Sequence, residues 1–159
     1  MSLLFFIWSM IICGQQHQFH IKNIWLYTEA QYNGNVPVNK GNRTATANAS
    51  TKLKCFIIVE KGQPSPTWET AEFGNRKYTV SALVMAQDSV VVGLRKDTKE
   101  PVVIKTTADS QLIQLTLEPT GDVEPSEVLE FVLSGTFNHK RVQVALSNQP
   151  IELTPVFMP

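Results

Sequence analysis

The amino-acid sequence predicts an all-β domain: in the first place an antiparallel up-and-down β-barrel, with a β-trefoil or a β-sandwich as alternatives. Three observations predict it. From Leu53 onward apolar residues recur with period two, the spacing that turns one side of a pleated strand toward a core. The joints between these runs are short and carry Gly, Pro, Asn and Asp, and strand starts return at about 10 to 12 residues, as in antiparallel barrels and sandwiches. No run shows a convincing helical period. At "EPSEVLEF", where Pro125 could open a helix, alternation explains the pattern equally well.

Element by element, "HIKNIWLYTEAQY" (20–32) offers one strand around Ile24 to Tyr27, followed by a long polar loop, 33–52. "LKCFIIV" (53–59) is apolar and β-branched throughout, so it reads as a buried strand. "TWETAEF" (67–73) alternates Trp68, Thr70 and Glu72 against Glu69, Ala71 and Phe73. "KYTVSALVM" (77–85) places Tyr78, Val80, Ala82 and Val84 on one face, and "SVVVGLR" (89–95) does the same with Val90, Val92 and Leu94. "PVVIKTT" (101–107) and "QLIQLTLE" (111–118) continue the series. "VLEFVLS" (128–134) aligns Leu129, Phe131 and Leu133, and "RVQVALS" (141–147) aligns Val142, Val144 and Leu146. "PIELTPVF" (150–157) is the last candidate, interrupted by Pro155. A loop as long as 33–52 is uncommon inside a compact domain and usually has a binding or covering role.

The chain opens "MSLLFFIWSMIICGQQ", with no charged side chain from Ser2 to Gly14 and an almost wholly apolar run over residues 3–12. A transmembrane span needs about 20 apolar residues. The run is shorter than that and has the length of the apolar region of a secretory signal. Residues 1–14 are therefore expected to be a signal peptide, cut near Gly14–Gln15, leaving 15–159 as one domain with no membrane insertion. Export gives meaning to "GNRTATANAS" (41–50), which holds Asn-x-Ser/Thr triplets at Asn42 and Asn48 in a stretch without hydrophobic periodicity. Both are expected to carry sugar on an extracellular, secreted protein.

Lys and Arg number 14 and Asp and Glu number 14, so no basic surplus points to nucleic acid and no acidic block to a solvating tail. Of the two cysteines, Cys13 falls in the expected signal, and Cys55 sits within "LKCFIIV", where a buried inert thiol is expected. Catalytic and metal constellations are not evident in the sequence. His17 and His20 have i, i+3 spacing but no strong third ligand nearby, and His139 lies in a turn without a Ser or Cys partner. A Gly-rich phosphate loop is absent, so no cofactor is implied. Glu69 and Glu72 fall on opposite faces, the wrong placement for joint acid and base work. An enzyme is not expected.

The aromatics are the remaining lead. Trp25, Tyr27, Phe56, Trp68 and Tyr78 come from successive strands. Pointing inward in a closed barrel, they would wall a cavity for a small hydrophobic or amphipathic ligand, a lipid or a biogenic amine, with tyrosine hydroxyls fixing its polar end. The alternative is that they fill a core.

"NIWLYTEAQY", then the sequons, then "KLKCFIIVEKG" resembles the opening of the secreted lipocalins of tick saliva, and the meander from 67 to 118 is similar to theirs. The resemblance implies a secreted barrel that carries or scavenges a small ligand. A second resemblance leads elsewhere: "LRKDTKEPVVIK" and "SNQPIELT" look like strand–turn stretches of interleukin-1-like β-trefoils. That likeness, or an immunoglobulin-like sandwich, implies a domain that binds a receptor or host protein through its surface.

Overall fold

The computed structural model describes residues 19–33, 49–122 and 130–158. Every regular element among them is a strand: β1 (Ile21–Asn33), β2 (Ala49–Glu60), β3 (Thr67–Phe73), β4 (Arg76–Val84), β5 (Ser89–Leu94), β6 (Pro101–Lys105), β7 (Ser110–Asp122), β8 (Phe131–Phe137), β9 (Lys140–Leu146) and β10 (Ile151–Met158). Each matches a run of alternation in the sequence. β1 and β2 are longer than expected and pair as far as Tyr32 with Ala49, so strand enters the stretch 33–52 from both sides. Asn42, Asn48, His17 and the expected signal, 1–14, lie outside the described residues.

Eight strands form one continuous sheet in the order β10-β1-β2-β7-β4-β3-β8-β9, and β5 and β6 form a separate hairpin. The sheet curls strongly into a half-barrel, so the fold is all-β and barrel-like, as the alternation predicts. Its strand order is not a sequential meander. β5 and β6 leave the sheet, which brings β4 beside β7. β10 then returns alongside β1 in parallel, the one parallel ladder among the described strands. Period two fixes which face a side chain takes and says nothing of which strand lies next door.

Local chemistry sets the corners. Asn138 and His139 both have positive φ, 49° and 62°, between the paired Phe137 and Lys140. That is the left-handed pair a type I′ hairpin turn requires. Pro155 sits where the β1–β10 register jumps from Leu153 to Val156. On an edge strand, inside a bulge, its missing N–H costs no ladder bond.

The curl divides the apolar residues between two faces. The larger cluster gathers Leu26, Cys55, Ile57, Trp68, Tyr78, Leu115, Phe131, Leu133 and Val142. It joins β1 to β9, strands far apart in the sheet order, so it occupies the inside of the curl. Burying each large aliphatic or aromatic side chain here contributes about 1.5–3 kcal/mol, which makes this face the main stabiliser. The smaller cluster gathers Tyr27, Phe56, Ile58 and Leu112 with Val92 and Ile104 of the hairpin and Leu153 of β10. It lies on the outside, where the hairpin covers the sheet. β2 feeds both clusters, which is why "CFIIV" shows no polar face.

Two β-bulges correct the period-two reading. A register shift between Trp68 and Thr70 changes the phase of β3, so Trp68 joins Ala71 and Phe73 instead of Thr70 and Glu72. A second shift, between Val91 and Gly93, leaves Val90 and Val92 against the sheet and turns Leu94 out to solvent. An extra residue flips every later side chain to the other face.

Candidate functional site

The five aromatic residues expected to wall one cavity are divided between the two faces. Trp25 is paired directly with Phe56, and Tyr27 lies two residues on, so all three point outward, while the neighbouring pair Leu26–Cys55 points inward. Trp68 and Tyr78 belong to the inside cluster. The structure thus brings together Trp25, Tyr27 and Phe56 under the hairpin, and separately Trp68 and Tyr78 within the curl. A common cavity walled by all five is not formed. The expectation fails because side chains of adjacent strands share a face only when paired in register, which strand order decides.

The outer group is a clamp. Tyr27 and Phe56 meet edge to face with ring centroids 6.1 Å apart. Burial raises the Tyr27 phenol above its ordinary pKa. Next to them lies a charge pair that the sequence reading missed: Lys54 Nζ donates to Glu29 Oε1 at 2.8 Å, and Glu29 is buried. Lys54 Nζ also donates to the Val92 carbonyl at 3.3 Å, which ties the hairpin down. The end of the hairpin is stitched to β10, where Lys96 N–H donates to the Glu152 carbonyl at 3.0 Å. Glu29 and Lys54 could have been found from phase alone, since they continue the Trp25–Tyr27 and Phe56–Ile58 series by steps of two.

The inner group is different. Trp68 is 4% exposed, and its Nε1–H has no hydrogen-bond partner among the described residues. Buried polar atoms are nearly always paired, and leaving one unpaired costs about 1–3 kcal/mol. Its surroundings are apolar: the Phe19 ring stands edge-on at 6.2 Å, and Phe19 in turn lies 5.3 Å from Phe137. Tyr78 shares the cluster, and burial raises its phenol pKa despite the opposing charge of Arg76, so it remains a protonated donor at neutral pH. Two exposed cations stand on this face by register, Arg76 opposite Phe73 and Lys140 opposite Phe137.

Two features give the inner face its shape. At Gly135, which pairs with Trp68, an added Cβ would overlap the Thr67 carbonyl oxygen and lie 3.0 Å from Trp68 Cα. Only glycine lets β8 approach the bulge that turns the indole inward. On β4, Ala82 and Val84 lie opposite Leu115 and Ile113, on the inside face by register. The β3 ladder accompanies β4 only as far as Thr79, so this end of β4 is uncovered and Val84 is 53% exposed. The apolar inner surface therefore continues from a buried floor to side chains in water.

Other polar groups are structural ties. Lys22 Nζ donates to Asp109 at 2.9 Å and to Ser110 Oγ at 3.1 Å, joining β1 to the turn before β7. Thr107 and Lys22 hold the Asp109 carboxyl well below the usual carboxylate range. Cys55 is fully buried, and desolvation pushes its thiol far above the ordinary range, which makes it a poor nucleophile. Among the described residues no group of three or more His, Cys, Asp or Glu is placed to hold a metal, and no helix is long and apolar enough to cross a membrane. His20 and His139 are exposed. No protein-family model, curated protein or solved structure matches the chain.

Proposed function

We propose that this protein is an exported, non-enzymatic carrier or scavenger that holds a small hydrophobic or amphipathic ligand against the inside of its half-barrel. One observation carries the reading: the inner face holds the larger apolar cluster, and at the Ala82–Val84 end of β4 it runs out into solvent. An open apolar concavity with a few polar groups is the usual form of a small-molecule site. Trp68 and Tyr78 are its polar groups. The signal-like opening and the sequons at Asn42 and Asn48 support export and glycosylation. The likeness to secreted tick lipocalins agrees with the same role.

A second reading has its own support. Val91 and Val103 face each other on the outer side of the hairpin and are 65% and 43% exposed, with Leu94 also out. A solvent-facing apolar strip of this kind suits a protein partner. The experiment that separates the two uses full-length protein expressed in a secreting eukaryotic cell and recovered from the medium. A carrier shows a saturable change in Trp fluorescence and a concentration-dependent rise in melting temperature with 2-octanone or octylamine. Retention inside the cell overturns export. A secreted product that responds to neither probe overturns the carrier and leaves surface recognition.

A further inference from the structure

The two ends of the sheet are unlike. At the β10 end the edge is covered and broken. Arg95 bridges to Leu153, Lys96 N–H donates to the Glu152 carbonyl at 3.0 Å, Thr154 Oγ1 donates to the Arg95 carbonyl at 3.3 Å, and Pro155 sits in a bulge. The outer strand of the hairpin, β6, is five residues long and begins on a proline. Cover, bulges, prolines and short length all keep a strand edge from recruiting another chain. β9 has none of these. It is the last strand of the sheet, runs seven residues without proline, glycine or a register shift, and pairs on one side only among the described strands. The two-residue turn at Asn138–His139 makes Phe137 and Lys140 a hydrogen-bonded pair. By alternation Val142, Val144 and Leu146 also bond to β8, while Arg141, Gln143 and Ala145 turn their N–H and C=O groups to the outer edge.

We propose that a second copy of this chain pairs at that edge, β9 antiparallel to β9 about a two-fold axis through Gln143, so that one sheet runs through both copies. Register singles this arrangement out. With Gln143 opposite itself all seven residues overlap, and the outward residues meet one another: Gln143 with Gln143, and Arg141 with Ala145 on either side. Each of these pairs exchanges two backbone hydrogen bonds. Val142 then stands opposite Val144 in the closely spaced pairs between them, so the half-buried Val144 gains an apolar neighbour on the inside face. The charges fit the same register. Lys140 and Arg141 are the charged residues of β9, and both stand at its start. The antiparallel register sets them opposite Leu146 and Ala145. The two copies of Arg141 lie four residues apart along the ladder, about 14 Å, a separation at which exposed charges are largely screened at physiological salt. A parallel pairing in register would instead set like charges side by side.

The test follows the full chain by sedimentation velocity at rising concentration, and by amide hydrogen exchange resolved to single residues. A monomer–dimer equilibrium is expected. As the dimer forms, the amides of Arg141, Gln143 and Ala145 should slow, while those of Val142, Val144 and Leu146, bonded to β8, are slow throughout. Gln143→Pro removes the central donor from both copies and no donor of the β8 ladder. It should weaken the dimer about fivefold for each of the two hydrogen bonds lost. Ala145→Glu brings a carboxylate opposite Arg141 of the second copy at both ends of the ladder and should tighten the dimer about two- to fivefold. Should Gln143→Pro not fold, Ala145→Glu and the exchange pattern of the unmodified chain decide the matter. A chain that stays monomeric at every concentration would overturn the proposal, and so would a dimer in which the Arg141, Gln143 and Ala145 amides remain fast. Slow exchange of those three amides already in the dilute monomer would mean that the chain covers its own edge, and a dimer that Ala145→Glu does not tighten would have another register; either result also overturns it.

Discussion

Replacing Lys54 by Met strands Glu29 beneath the hairpin. Removing one partner of a fully buried ion pair costs about 3–5 kcal/mol. Here the Glu29 side chain is 7% exposed and that of Lys54 21%, so water screens part of the loss. The reduced charge cost, together with the hydrogen bond to the Val92 carbonyl at 3.3 Å, gives an expected destabilisation of about 2–3 kcal/mol. The double variant Glu29→Leu/Lys54→Met removes both charges from an apolar layer of Tyr27, Phe56 and Leu153 and should recover most of that loss. Urea unfolding with linear extrapolation gives the four free energies of the cycle, and the expected coupling is about 1–3 kcal/mol. Additive single effects, or a Lys54→Met cost below about 0.5 kcal/mol, the scale of ordinary surface substitutions, would refute the claim that this pair clamps the hairpin.

Three further outcomes follow from the geometry. Gly135→Ala should cost at least about 1–3 kcal/mol by overpacking and should weaken ligand binding, because β8 must retreat from the Trp68 bulge; calorimetry and urea melts check both. Asp109 has a depressed folded-state pKa, so its contribution to stability is present above the unfolded value, about 3.9, and is lost as pH falls below it. The urea midpoint should therefore drop between about pH 4 and pH 2, and Asp109→Asn should flatten that slope. Cys55 should resist a bulky disulfide reagent in the native protein and react fully in denaturant, since its thiol is buried and its pKa raised.

Much of the fold was legible in the sequence, because alternation reports burial directly. The runs at 53–59, 111–118 and 141–147 became β2, β7 and β9, and Val142, Val144 and Leu146 share the inside face as the pattern aligns them. What alternation hides is adjacency and phase. Nothing local distinguishes "SVVVGLR", which leaves the sheet as a hairpin, from "QLIQLTLE", which sits at its centre. Bulges at Trp68 and Val92 each flip a face without a strong mark in the sequence, although Gly93 beside the second is a hint. The same ambiguity decided the site. Trp25, Tyr27, Phe56, Trp68 and Tyr78 were legible only as one set of aromatics from successive strands, and their division between faces depends on β2 lying between β1 and β7. The buried Glu29–Lys54 pair was present in the residue phase and was hidden by the assumption that charges in a strand face water.

The central claim is that ligand sits on the inside of the curl and not under the hairpin. Photolabelling tests it most directly: the full-length protein is irradiated with an aliphatic ketone bearing a diazirine on its chain, with and without excess 2-octanone, and the modified residues are read by tandem mass spectrometry. The account predicts saturable, competed labelling on β3, β4 and β7, at Trp68, Ala82, Val84 and Ile113. Competed labelling confined to Trp25, Tyr27 and Phe56, or to Val91 and Val103 on the outer hairpin, would contradict it.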